Sequence, residues 1–203
     1  MGRRVVITGL GVCAPNGVGL TDFTQALLDG KSGIRHQPNL EKLGFGCQVA
    51  GEPLVKDNLI NSYFTPLERR GLNASGIVYG VIAGVDAWND AGLVKNTTNE
   101  PSWDRGIVFG TGILGVDKFR EAIHLIDEGN VRRLGSTSVI QTMASGISAY
   151  LGGMLGCGNQ VTTNSAACTT GTEGIIMAYD RISQGKAEIM LTGSCSDSGP
   201  YVW

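Results

Sequence analysis

The sequence contains the segment Gln160-Val161-Thr162-Thr163-Asn164-Ser165-Ala166-Ala167-Cys168-Thr169-Thr170-Gly171, whose two ends follow different patterns. The first five residues are rich in β-branched side chains, which favours a strand. From Cys168 to Ser183 apolar residues recur at helical spacing, which predicts a helix. The small residues between the two patterns predict a tight turn. A strand that passes through such a turn into a helix is typical of α/β proteins.

The same alternation extends along the rest of the chain. Further strands are predicted at residues 5–13, 105–110 and 187–193, and further helices at 21–28, 66–92, 116–128 and 138–155. Thr21 is the predicted cap of the first helix, and Thr65-Pro66-Leu67-Glu68 has the form of a capping box. Residues 31–62 hold prolines and glycines, so we expect a loop with one or two short strands there. Together these elements predict an α/β or layered α/β/α architecture.

The composition is that of an ordinary globular protein and argues against several classes of function. The 203 residues are 42% hydrophobic and 17% charged, which is too apolar for a disordered chain. The 16 basic and 18 acidic residues form no long run of one sign, so we expect neither a nucleic-acid nor a membrane partner. The five cysteines are scattered and form no Cys-x-x-Cys pair, so we expect no metal site and no disulfide framework. A cytoplasmic location fits this composition best.

Cys168 is the residue with the clearest chemical setting. A thiol at a helix N-terminus faces free backbone N–H groups and the positive end of the helix dipole, and both favour thiolate over thiol. The same N–H groups can bind the oxyanion that forms during acyl transfer. Small neighbours, Ala166, Ala167 and Gly171, leave room beside the sulfur. The residues alone also allow the opposite interpretation, in which Cys168 is an inert core thiol.

Two other features carry less chemical information. His36 is predicted in an exposed polar loop and His124 on the boundary face of a helix, so neither is predicted to be a base for the thiol. The pattern Gly110-x-Gly112-x-x-Gly115 follows a strand, as a dinucleotide-binding fingerprint does. It lies mid-chain and lacks the acidic residue that such sites carry at the next strand end. We therefore interpret it as a turn that permits close packing, and we expect no cofactor.

Four motifs occur along the chain in a fixed order. They are Ile7-Thr8-Gly9-Leu10-Gly11 with Pro15 and Gly17, Gly110-Thr111-Gly112-Ile113-Leu114-Gly115, Ala166-Ala167-Cys168-Thr169-Thr170-Gly171, and Gly185-x-Ala187-x-Ile189-Met190-Leu191-x-Gly193. In order and spacing they resemble the β-ketoacyl-acyl-carrier-protein synthases, most closely the elongating type II enzymes of bacteria. The resemblance implies that residues 1–203 are the N-terminal half of such a synthase domain. It implies a thiolase-like layered α/β/α fold, in which this half contributes a five-stranded mixed sheet covered by helices.

The resemblance also implies a reaction. Cys168 would take the growing acyl group from acyl carrier protein as a thioester, and decarboxylation of a malonyl thioester would supply the carbanion that attacks it. Ile113 matches the position that lines the acyl pocket, and Gly112 and Thr169 are the other expected substrate contacts. The expected partners are the carrier protein and a second copy or a paired synthase-like subunit, with no metal or cofactor.

One alternative remains open at this point. The family's two catalytic histidines, its lysine and a second glycine-rich loop lie in the C-terminal half, which we expect to be absent from this chain. The chain would then carry the nucleophile without the groups that promote decarboxylation. A synthase-like partner subunit of the chain-length-factor type would condense nothing. Such relatives generally replace the cysteine, so the retained Cys168 favours the enzyme. The acyl chain length and the pathway do not follow from the sequence.

Overall fold

The computed structural model describes residues 3–203, which form short strands and helices in alternation. The strands are β1 (Cys13–Ala14), β2 (Gly17–Val18), β3 (Ile34–His36), β4 (Val49–Gly51), β5 (Arg105–Gly110), β6 (Val161–Thr162) and β7 (Ile189–Ser194). The helices are α1 (Leu20–Leu28), α2 (Pro38–Lys42), α3 (Asp57–Tyr63), α4 (Pro66–Arg69), α5 (Ser75–Asp90), α6 (Val116–Asp127), α7 (Ser138–Thr142), α8 (Gly146–Leu155) and α9 (Thr170–Ser183). Two short 3₁₀ turns lie at Val131–Arg133 and Ala167–Thr169. None of the helices in the described part is long and apolar enough to cross a membrane.

A three-stranded parallel sheet in the order β6-β5-β7 forms the centre of the fold. Strand β5 pairs with β6 around Ile107 and Val161, and with β7 along its whole length. The strands expected near 105–110, 160–164 and 187–193 are therefore confirmed, with the second shortened to two residues. Antiparallel pairing occurs only in two separate two-stranded ribbons, β1–β2 and β3–β4, within residues 3–203. The expected five-stranded mixed sheet is therefore wrong for this part of the chain, where the central sheet has three parallel strands.

Helices cover both faces of this sheet. Ile107 and Phe109 of β5 lie in one core cluster with the apolar side chains of α5 and α8, including the fully buried Ile77 and Leu151. Because successive strand residues point to opposite faces, Val108 points to the other side, where α9 packs. Buried apolar residues on both faces are typical of parallel sheets with helical layers. This arrangement is the predicted layered α/β/α architecture.

Two predicted long helices are each broken in two. Instead of one helix from 66 to 92, α4 ends at Arg69 after the predicted capping box, and α5 begins at Ser75. Gly71 between them has a positive φ of 72°, which a helix does not accommodate. Instead of one helix from 138 to 155, α7 ends before Met143, whose backbone is extended. The apolar spacing is continuous across both breaks, so periodicity alone does not reveal them.

The predicted strand at 5–13 is wrong except at its last residue. Only Cys13 pairs, with Val18 of β2, and residues 3–12 join no strand among the described residues. Gly9 and Gly11 cross α5 so closely that a Cβ atom at either would overlap the helix backbone. The Leu10 amide donates to the Asp90 carboxylate at 2.9 Å, a hydrogen bond to a helix end in place of a neighbouring strand.

Two smaller predictions near the N-terminus are also corrected. Helix α1 begins at Leu20 after Gly19, whose φ is 87°, so Thr21 lies inside the helix and does not cap it. Residues 31–62 contain the two short strands that we expect, β3 and β4, but also the helices α2 and α3. Both helices have seven residues or fewer, too short to give a clear periodic pattern.

Candidate active site

Cys168 lies in a strained turn directly before α9. Ala167 has a φ of 49°, the one positive φ of a residue other than glycine within 3–203. An L-residue with a side chain rarely adopts this conformation, which costs free energy and is found most often at functional sites. The turn is held by several hydrogen bonds: the Thr169 amide donates to the Ala166 carbonyl at 3.0 Å, and the Ala166 amide donates to Thr170 Oγ1 at 2.9 Å. These hydrogen bonds therefore hold Ala167 in its strained conformation.

Asn164 and Thr170 fix this turn to the end of the central strand. Asn164 Nδ2 donates to the Thr170 carbonyl at 2.7 Å, and the Thr111 amide donates to the Asn164 carbonyl at 3.3 Å. The Thr170 hydroxyl is buried and donates to the Ala167 carbonyl at 2.7 Å. Sequence reasoning missed both residues as part of the site. Their signal is an amide side chain at a strand end and a hydroxyl residue at the first position of the next helix.

The Cys168 thiol is exposed to solvent, whereas Cys157 is buried and Cys13 and Cys195 are partly buried. Within residues 3–203, Cys168 is therefore not packed as a core thiol. Within residues 3–203 the Cys168 backbone N–H donates no hydrogen bond, so it remains free to bind an oxyanion beside the sulfur. The structure therefore offers an accessible thiol and an adjacent free donor.

The glycine motif after β5 lies against the cysteine turn. A Cβ atom on Gly112 would stand 3.7 Å from Ala167 Cα, so the loop and the turn are in close contact. Ile113, the next residue, is 48% exposed. Thr169 follows Cys168, and its hydroxyl donates to the Ala166 carbonyl at 2.8 Å. Gly112 and Thr169, two of the three predicted substrate contacts, thus flank Cys168, and Ile113 lies in the same loop.

Neither histidine contacts the thiol. His36 is exposed on β3 and lies 3.4 Å from Glu41, and His124 is exposed on α6. Within residues 3–203 the Cys168 sulfur makes no hydrogen bond. Among the described residues, neither histidine is therefore placed to act as a base for the Cys168 thiol.

The strain at Ala167 gives a prediction for stability. Ala167→Gly is expected to leave the free energy of unfolding unchanged or to raise it, because glycine adopts a positive φ without strain. Ala166→Gly is the matched control, since Ala166 has a φ of −136°. Relative to alanine, glycine there adds only flexibility, and a loss of about 0.5–1 kcal/mol is expected. Urea unfolding of both variants measures the difference; equal losses would show that Ala167 is unstrained.

Comparisons with known proteins agree with this geometry. The family "Beta-ketoacyl synthase, N-terminal domain" matches residues 2–201. The chain is 33% identical to 3-oxoacyl-[acyl-carrier-protein] synthase 2 of Vibrio harveyi, covering 94% of this chain and 45% of that protein. It is 30% identical to a putative polyketide beta-ketoacyl synthase 1 of Streptomyces halstedii, covering 98% and 47%. The chain thus spans about half the length of the curated relatives it matches.

Solved structures show the same fold. The ishigamide ketosynthase/chain length factor superposes with a TM-score of 0.81 at 23% identity, covering 99% of this chain and 49% of that one. The ketosynthase complex AntDE:AntF superposes with a TM-score of 0.75 at 25% identity, covering 96% and 45%. The thiolase-like fold class predicted from the sequence is therefore confirmed. Because the family model matches residues 2–201 and the same fold is found in solved ketosynthases, the chain belongs to the β-ketoacyl synthase family and corresponds to its N-terminal domain.

Proposed function

We propose that this chain supplies the acyl-accepting half of a condensing enzyme and that Cys168 is its nucleophile. The observation that carries the proposal is the exposed thiol on a strained turn, next to its own free backbone N–H. Contact between Gly112 and Ala167 supports the assignment of Gly112, Ile113 and Thr169 as the residues along which the acyl group enters. On this proposal residues 1–203 form one structural half of a synthase domain.

The accepting step is a thioester exchange. The Cys168 thiolate attacks the carbonyl carbon of an acyl thioester, and a new carbon–sulfur bond forms. The negative charge moves to the carbonyl oxygen, where the Cys168 N–H stabilises it. When the intermediate collapses, the bond to the carrier's sulfur breaks, and the carrier thiol leaves with the proton that Cys168 lost. The product is an acyl group on Cys168, with no redox change.

The condensing step requires a second substrate and further groups. Decarboxylation of a malonyl thioester would supply the carbanion, and its attack on the acyl group would release Cys168. Within residues 3–203 neither histidine contacts the Cys168 sulfur: His36 lies beside Glu41, and His124 is exposed on α6. We therefore propose that the complete reaction uses residues contributed from outside residues 1–203.

The proposed partners follow from the same chemistry. The complex AntDE:AntF contains a ketosynthase with its acyl carrier protein, and we propose acyl carrier protein as the donor here. A second synthase-like subunit, whether another copy or a paired chain, is the other proposed partner. Helix α6 supports this, because Phe119, Ile123 and Ile126 share one face and are 43–59% exposed. The proposed location is the cytoplasm.

Incubation of the 203-residue chain with acyl and malonyl thioesters of carrier protein tests the function. We expect the acyl group on Cys168 but no ketoacyl product, because neither histidine of the described residues is placed to promote decarboxylation beside Cys168. Ketoacyl product from this chain alone would contradict the proposal that the condensing step uses residues from outside residues 1–203. Absence of both acylation and product, in a chain shown to be folded, would favour the non-catalytic partner subunit instead.

A further inference from the structure

Asp197 is a buried carboxylate three residues beyond the end of β7. It is 8% exposed, although aspartate is among the residues that are rarely buried without partners. Its neighbours are the first residues of two separate helices, α5 and α6. No part of the accepting step described above uses it.

The two carboxylate oxygens bind different helices. Oδ1 accepts from the Gly76 amide of α5 at 2.7 Å. Oδ2 accepts from the Gly115 amide and, at 3.2 Å, from the Val116 amide of α6. First-turn amides have no partner within their own helix, and a negative charge there also interacts favourably with the helix dipole. One side chain therefore joins the starts of two helices of 16 and 12 residues.

This link fixes one end of the loop that touches the cysteine turn. The other end is fixed by the Thr111 amide, which donates to the Asn164 carbonyl at 3.3 Å. At the Asp197 end, Gly115 also packs against the Gln141 backbone so tightly that a Cβ atom would overlap it. Between the two ends lie Gly112, against Ala167, and the half-exposed Ile113. The position of these residues therefore depends on both attachments.

We infer that Asp197 is a positioning residue that holds the Gly112–Leu114 loop beside Cys168 and so sets how bulky a group can reach the sulfur. The inference rests on the proposed function, in which the group that enters is an acyl chain. Asp197 itself touches neither Cys168 nor the incoming group, and it acts through Gly115 and Val116. An aspartate that capped only one helix would bind a single helix start, and its replacement would not change access to a distant thiol.

Asp197→Asn is the informative variant. The amide keeps the shape of the side chain but has one acceptor oxygen, and its NH₂ group cannot accept from a backbone N–H. One of the two helix starts therefore loses its acceptor. Asp22→Asn is the matched control, because Asp22 is an exposed acid in the first turn of α1 that accepts no hydrogen bond within residues 3–203, and Asp197 does not bind that helix.

The measurement compares two alkylating probes on Cys168, N-methylmaleimide and N-hexylmaleimide, with the adduct quantified by peptide mapping. In Asp197→Asn the rate ratio of the hexyl to the methyl reagent is expected to rise by at least about fivefold, because the loop loses a buried hydrogen bond and can move aside. The methyl reagent alone should react at a similar rate, since Cys168 is already exposed. A folded Asp197→Asn with the ratio of the wild type would reduce Asp197 to a stabilising contact and overturn the inference.

Hydrogen exchange on the unmodified chain keeps the test independent of whether the variant folds. The Gly115 and Val116 amides are expected to exchange at least about 100-fold more slowly than solvent-exposed amides, because Asp197 holds them. Fast exchange at both positions would overturn the inference. Neither measurement requires acyl transfer, so the proposed function can fail through an unacylated Cys168 while the role of Asp197 stands or falls separately.

Discussion

Replacing Cys168 with alanine is expected to abolish acylation of the chain by an acyl thioester, with a loss of about 10⁴-fold or more in rate. The variant removes the only atom that forms the new bond, so no neighbouring group can replace it. Folding should be unaffected, because the side chain is exposed and makes no hydrogen bond within residues 3–203. Intact-mass spectrometry after incubation with the thioester measures the adduct.

Cys47→Ala is the matched control for this experiment. Cys47 is the other exposed cysteine of the described chain, and it lies in the loop before β4, outside the turn that contains Cys168. Its removal is expected to leave acylation at the wild-type rate. If Cys168→Ala were still acylated and Cys47→Ala were not, the nucleophile would have been assigned to the wrong residue.

The second large effect concerns the three thiols that are buried or partly buried, Cys13, Cys157 and Cys195. Burial raises the pKa of Cys13 from 9.0 to about 12, with the Asp86 carboxylate as a smaller cause. Burial likewise raises the pKa of Cys195 to about 12, helped by Asp197. For Cys157, burial raises the pKa to about 11, and Arg105 partly opposes it. A higher pKa means less thiolate at a given pH, and the thiolate is the reacting form.

The expected result is slow alkylation of these three residues at pH 8. Compared with a small thiol of pKa 9, Cys157 should react about 100-fold and Cys13 and Cys195 about 1,000-fold more slowly. Their rates should rise about tenfold for each pH unit between 8 and 10, because the thiolate fraction rises in that proportion. Iodoacetamide labelling followed by peptide mapping gives all the rates at once. Cys13 or Cys195 modified before Cys168 at pH 8 would contradict both the burial and the assignment of the nucleophile.

The sequence predicts the strands of the central sheet and the turn that contains Cys168 because both depend on local patterns. Residues 106–110 are a short apolar run, and residues 160–171 pass from β-branched residues through small residues to the start of a helix. A strand that is buried on both faces is apolar along its length, so its position can be predicted from the sequence. Thr169 adjoins Cys168 in the chain itself, whereas Gly112 reaches the turn only through a contact with Ala167 that the fold creates.

The parts that escaped prediction depend on distant contacts. The start of α5 is stabilised by Gln141, which accepts from the Ala74 amide at 3.2 Å, and by Asp197, and these residues lie 67 and 121 positions away. The segment from residue 5 crosses α5 because Gly9 and Gly11 allow close approach, not because of its own strand preference. The positive φ of Ala167 is equally invisible, since alanine gives no sign of a left-handed conformation.

Asp197 illustrates the same limit at the site itself. An aspartate between two serines after a strand suggests an ordinary polar turn. Only the fold brings the starts of α5 and α6 to the same point, where a single carboxylate can bind both. The conformation around Cys168 is thus set by residues close in sequence, whereas the position of the Gly112–Leu114 loop is set by residues distant in sequence.

The most direct test of the account is to locate the acyl group after the unmodified chain has been incubated with an acyl thioester of carrier protein. Proteolysis and mass spectrometry should find one acyl group per chain, attached as a thioester to Cys168, and hydroxylamine should release it. An acyl group on any other residue, or none on Cys168 in a chain shown to be folded, would contradict the assignment of Cys168 as the acyl acceptor.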